Sequence, residues 1–194
     1  MDCYKSISST AVGAVNEKGS RFLSYAFVVS AVGEVKPLVD NLRREHHAAR
    51  HCAYAYRIGA GGEFSRANDD GEPSGTAGRP ILGQILTRDL SDVLVVVVRY
   101  FGGTLLGVPG LIAAYKGAAV DALGKAQVVE KIVEIEFQVT TPYALLDRVL
   151  RLSGQSGARV VDMGSQAELC VLKIVVRRSQ YEILRQAIDR VLSR

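Results

Sequence analysis

The run DVLVVVVRY (Asp92–Tyr100) limits the fold of this 194-residue chain more than any other stretch. Val93 to Val98 are aliphatic without interruption, so a strand here has no polar side to turn to water. Such a strand belongs in the middle of a sheet covered on both faces. The run is also far too short to cross a membrane.

The neighbouring segments supply what would cover it. SRFLSYAFVV (Ser20–Val29) alternates as a strand, and HCAYAYRIG (His51–Gly59) reads as a second, aromatic-rich one. Between them, Glu34–His47 places Val35, Leu38, Val39 and Leu42 at helical spacing, with Pro37 tolerated in the first turn. Pro80–Arg88 fits a short helix burying Ile81, Leu82, Ile85 and Leu86. LIAAYKGAAVDAL gives a longer helix, with Leu111, Ile112, Tyr115, Ala119 and Leu123 on one face.

Beyond a linker expected at Gly124–Glu130, the pattern starts again. VEIEFQVT alternates cleanly, and Thr141–Pro142 reads as an N-cap with proline opening a helix that closes near Gly154. A strand near Ala158–Met163, a turn at Gly164–Ser165 and a strand over Glu168–Arg177 suggest a hairpin. SQYE (Ser179–Glu182) reads as a capping box for a last helix with Leu184, Ile188 and Val191 inward. The order βαββα makes a compact α+β unit, so two domains are expected, 1–124 and 130–194.

A composition of 48% hydrophobic and 23% charged residues is that of an ordinary globular protein. The opening MDCYKSISSTAVGAV carries a charge and several hydroxyls where a signal peptide would be apolar. Cys3, Cys52 and Cys170 are odd in number and widely spaced, which suits a reducing compartment. A cytoplasmic protein with no membrane association is the expectation. The net charge of +4 is modest, and 11 basic residues against 8 acidic follow Gly124. That permits an anionic partner without demanding one.

Two loops carry candidate chemistry. RANDDGEPSGTAGRPIL (66–82) gathers Asp69, Asp70 and Glu72 with Arg66 and Arg79, and Arg99 ends the apolar strand. Clustered carboxylates suit general acid–base work or a metal. Asp-Gly and Glu-Pro are equally strong turn formers, and the arginines can neutralise the acids. A loop shaped by Arg–carboxylate pairs is therefore the preferred reading, and no catalytic residue is assigned. The second loop, FGGTLLGVPG, places Gly102, Gly103 and Gly107 between a buried strand and a helix start, where unpaired N–H groups favour an anion. It has no P-loop lysine, and Pro109 lacks one donor.

His46, His47, His51 and Cys52 cluster in sequence but lack a second Cys/His pair at zinc spacing. No metal and no cofactor are expected. In the last domain, Lys173, Arg177, Arg178 and Arg185 are candidate contacts for RNA phosphates or protein.

DDGEPSGTAGRP (Asp69–Pro80) followed by VVVVRYFGGTLLGVPGLIAAY (Val95–Tyr115), with KGSRF (Lys18–Phe22) and HCAYAYRIG upstream, closely resembles the IMPACT/YigZ family. The resemblance implies paired glycines before Leu111, and here Pro109 replaces the first of them. The resemblance implies an N-terminal domain like the second domain of a small-subunit ribosomal protein, shared with GHMP kinases and elongation factor G. It implies a C-terminal ferredoxin-like domain similar to those of elongation factor G, here ending before a final strand. Eukaryotic relatives regulate translation by binding a ribosome-associated activator of a stress kinase.

The functional expectation is a non-enzymatic binding or regulatory protein linked to translation, with a ribosome-associated protein or RNA as partner. Its recognition surface would be the 66–80 and 99–110 loops. The alternative is an enzyme acting on a phosphorylated or nucleotide ligand there, with Asp70 or Glu72 as base and Arg99 holding the anion. A convergent pocket with perturbed carboxylates would favour the enzyme.

Overall fold

A computed structural model describes residues 2–193. The elements run β1 (Cys3–Ile7), β2 (Ala11–Glu17), β3 (Ser20–Val28), α1 (Val35–Glu45), β4 (His51–Ile58), β5 (Phe64–Asn68), α2 (Gly78–Thr87), β6 (Val93–Tyr100), α3 (Gly107–Lys125) and β7 (Val128–Ile132). There follow β8 (Glu134–Pro142), α4 (Tyr143–Gln155), β9 (Arg159–Gln166), β10 (Leu169–Arg177) and α5 (Arg178–Leu192). Contacts divide the chain into two compact units, Tyr4–Lys131 and a second one holding residues 2–3 and 132–193.

In the first unit β6 is the central strand of an antiparallel sheet ordered β2-β3-β6-β4-β5, and β1 pairs with β7 in a separate ribbon. The two faces of β6 divide as a period of two requires. Val93, Val95 and Val97 pack with Ile81 and Ile85 of α2 and with Leu111, Ala118 and Ala122 of α3. Leu94, Val96 and Val98 face the other way, with Val35, Val39 and Leu42 of α1. The expected double coverage of this strand is present.

Several details differ from the sequence reading. Leu86 and Ile112 are exposed, because each helix presents a narrower stripe to the sheet than its apolar residues suggest. Segment 124–130 is not an open linker: α3 runs to Lys125, and β7 starts at Val128.

The second unit has the sheet order β8-β10-β9, antiparallel throughout, so β10 lies between the two strands that α4 connects. That is a split βαβ arrangement, closed by α5. Val139, Val149, Leu172, Ile174, Leu184 and Ile188 form its core. Pro142, not Thr141, stands at the cap position of α4, in an extended conformation that its ring favours. The hairpin turns at Ala167–Glu168, where Ala167 takes φ 53, while Gly164 pairs with Val171 inside the ladder. The expected capping box is replaced as well. Ser179 lies within α5, and its hydroxyl donates to Asp2 at 2.8 Å.

Candidate functional site

The acidic loop is built by its own backbone. Asp69 sits just beyond β5, and its carboxylate accepts the N–H groups of Gly75 (2.8 Å), Ala77 (3.0 Å) and Gly78 (2.8 Å). These are donors at the start of α2, whose cap residue Ala77 has no side-chain oxygen to offer. Asp69 therefore does the work of an N-cap from nine residues away. Burial pushes its carboxyl up, but the three N–H donors, with Arg79 nearby, hold it below the ordinary aspartate range. Asp70 follows in the left-handed region, φ 48. Its side chain accepts the Cys52 N–H at 2.6 Å and pairs with Arg43 of α1.

Glu72 is the third acid and the deepest, its side chain 3% exposed. One oxygen, Oε1, accepts both Arg99 Nη1 and the Tyr115 hydroxyl, each at 2.7 Å. Arg99 comes from the end of β6 and Tyr115 from α3, so Glu72 ties the loop to two core elements. The Tyr115 hydroxyl is raised far above the ordinary tyrosine range by burial and by the adjacent carboxylate. Arg99 is 7% exposed, with its guanidinium 5.5 Å from the Phe22 ring centre and 5.7 Å from that of Phe101. Its Nε is buried without a hydrogen-bond partner.

Over this pair lies a cleft of about 520 Å³. Glu72 and Arg99 line it together with Arg50 and His51 at the start of β4 and Leu105 to Val108 at the start of α3. His51 donates from Nδ1 to the Asp70 carbonyl at 2.9 Å, because a carbonyl can only accept. That leaves Nε2 facing the Glu72 carboxylate at 4.0 Å. The lip is apolar and exposed: Phe101 at 46%, Leu105 at 84% and Val108 at 53%.

The glycine loop is positioned by a close backbone approach. A Cβ on Gly102 would fall 1.9 Å from the Gly19 carbonyl carbon, so only glycine lets this loop lie against the β2–β3 turn. Gly103 and Gly107 have φ values of 87 and 69, and Gly107 opens α3. Pro109 is the third residue of that helix, where its missing N–H deprives no intrahelical bond.

Of the residues singled out in the sequence, Glu72, Arg99 and Gly107 meet at the cleft, with Asp69 and Asp70 holding the loop behind them. Arg66 does not join them. It pairs across from Tyr56 on the α1 face and lines a separate hollow with Lys36 and Arg43. Arg79 is exposed in the first turn of α2. In the second unit Lys173 pairs with Glu136 at 3.2 Å, and Arg185 with Asp189 at 3.3 Å. Arg177 and Arg178 stand at the β10–α5 junction with no ion pair among the described residues.

The sequence reading missed Arg43, Arg50, His51 and Tyr115 as site residues. Tyr115 carried a usable signal, since a buried tyrosine hydroxyl needs a partner. Cys52 has its thiol pushed up to about 11 by burial, which disfavours the thiolate. Among the described residues no three His, Cys, Asp or Glu side chains are grouped to hold a metal, and no helix is long and apolar enough to cross a membrane.

Residues 18–123 match the family described as the Impact N-terminal domain. The chain is 35% identical over 164 residues to the IMPACT family member YigZ of Escherichia coli (strain K12), spanning 83% of this chain and 80% of that one. It is 38% identical over 130 residues to the IMPACT family member YvyE of Bacillus subtilis (strain 168), spanning 67% and 60%. A crystal structure of a hypothetical protein superposes with a TM-score of 0.76 at 30% identity, over 95% of this chain and 90% of that one. With more than half its length matched to the family's own domain, the chain belongs to the IMPACT family.

Proposed function

We propose that the chain is a non-catalytic binding protein linked to translation, recognising a protein partner through the cleft between segments 66–80 and 99–110. The carrying observation is the exposed apolar lip of Phe101, Leu105 and Val108 beside a carboxylate loop that is internally satisfied. An acid–base catalyst has to offer its carboxyl group to substrate. Here Asp69 holds backbone N–H groups, Asp70 holds Arg43 and Cys52, and Glu72 holds Arg99 and Tyr115. Exposed large apolar side chains rimmed by polar groups are the mark of a partner surface.

The link to translation follows what the family resemblance implies for eukaryotic members. The likeness of the second unit to ferredoxin-like domains of elongation factor G is part of the same proposal, supported by its split βαβ order. Arg177 and Arg178 would add RNA phosphate contacts, since Lys173 and Arg185 already have partners in the chain.

Affinity capture from a lysate, with and without nuclease, tests this when read by mass spectrometry alongside co-sedimentation with ribosomes. A protein partner that survives nuclease and is lost with Leu105→Asp is the expected result. Capture of nothing, with no co-sedimentation at low salt, would count against the binding reading.

A further inference from the structure

The cleft has an electrostatic character that its apolar lip does not explain. Arg50 lines it, is exposed, and makes no ion pair or hydrogen bond among the described residues. Arg99 lines the floor, yet Glu72 takes only its Nη1, and its buried Nε has no acceptor. A buried guanidinium N–H without a partner is uncommon in native structures, and it leaves that side of the Arg99 charge unmatched by any acceptor of the chain. The start of α3 lines the same cleft, and the first turn of a helix offers amide N–H groups with no acceptor of their own.

From these features we infer that the cleft binds the C-terminal end of a partner polypeptide. The free α-carboxylate would lie at the start of α3 by Arg50 and Arg99, and an apolar last side chain against Leu105, Val108 and Leu111. The charge sets the class of anion. Arg99 and Glu72 cancel, so Arg50 is left as the net positive charge of the lining when His51 is neutral. One carboxylate matches that. A nucleoside triphosphate or a phosphate monoester brings more negative charge and would meet Glu72 with too little to offset it. The cleft of about 520 Å³ is of a size that takes a small ligand or the last residues of a chain, and its lip is apolar rather than basic. A terminal residue places a carboxylate and an apolar side chain on one carbon, which is the pairing these walls present. Backbone capture of a terminal carboxylate is a known recognition mode.

The inference rests on the binding reading above and names the part of the partner that enters the cleft. Its test uses the full ¹⁵N-labelled chain and a mixture of acetylated tetrapeptides ending in Leu, Ile, Val, Phe or Met as the free acid. The same mixture as C-terminal amides, inorganic phosphate and ATP form the other arms. Free-acid peptides should shift the amides of Gly71, Phe101, Gly103, Gly107 and Val108 saturably, and the amides should bind at least about tenfold more weakly. Arg50→Ala should erase most of that difference, while Leu105→Asp should weaken both mixtures. Equal binding of acid and amide, or no shift with peptides where phosphate or ATP shifts Gly103 and Gly107, would overturn the inference. A chain that still captures a partner through Leu105 but ignores free-acid peptides keeps the binding reading and loses this one. Peptide binding with no capture from lysate supports this inference and counts against the translation-linked partner.

Discussion

Glu72 has two donors on one oxygen, and both come from elements that also build the core. That makes its charge a structural part, with a definite cost when removed. Glu72→Gln keeps a hydrogen-bond acceptor but leaves the Arg99 charge buried without a counter-charge. Breaking one side of a buried pair costs about 3–5 kcal/mol. The lower end is expected here because the amide oxygen still accepts, which corresponds to a fall in Tm of roughly 10 °C for a domain of this size. Tyr115→Phe removes one neutral donor and should cost only about 1 kcal/mol. Thermal unfolding of both variants checks the order, and an unchanged Tm for Glu72→Gln would mean that Glu72 is free for chemistry. Asp69 adds a pH signature. Its folded carboxyl lies below the ordinary value of about 3.9, so its stabilisation is complete above that pH. It fades as the pH falls toward and through the lowered folded value. Asp69→Asn should therefore lose about 2 kcal/mol near neutrality and show a flatter decline of stability between about pH 5 and 3. Urea denaturation across that range reads both effects.

At the scale of elements, α3 carries a proline in its opening turn. Pro109 falls in the first turn, where φ is already near the value that proline enforces and no N–H is required. Pro109→Gly should thus destabilise the chain by about 1 kcal/mol, because it adds freedom to the unfolded state without relieving strain. Equilibrium unfolding measures it, and a stabilising change would show that the ring is strained in place. The same elements show what was readable from residues alone. The β6 strand and the helices α1 to α5 were legible because their apolar periodicity is strong and their burial follows it. Strand β5 was not: FSRAN is short and polar, lies at the sheet edge, and shows no buried alternation. Strands β1, β2 and β7 went unread, and β7 lay where a linker was expected. Thr141 lost the α4 cap only to its neighbour Pro142, but the α2 cap went unread and the α5 capping box was misread because the real partners lie far away in sequence. Asp69 caps α2 across nine residues, and Ser179 bonds Asp2 across the whole chain. No local window contains such pairs. The site shows the same limit. The Asp69–Pro80 loop and Arg99 were visible as motifs, whereas Arg43, Arg50 and His51 join them only through the antiparallel register of β4 and the packing of α1.

On the scale of the whole molecule, the cleft belongs entirely to the unit spanning Tyr4–Lys131, while Arg177 and Arg178, which have no ion pair among the described residues, belong to the other. The proposal thus divides between an apolar cleft in one unit and a small cationic junction in the other, and a net charge of +4 is modest for contacts with phosphates. The central claim is that the two loops form a surface for a partner rather than a catalytic pocket. Hydrogen exchange of the full chain, alone and with the partner captured from lysate, addresses that surface directly. The account predicts slowed exchange in segments 66–80 and 99–110, with Leu105→Asp abolishing the protection while the rest of the exchange profile is unchanged. Protection confined to residues 132–193, or none at either loop with the partner bound, would contradict it.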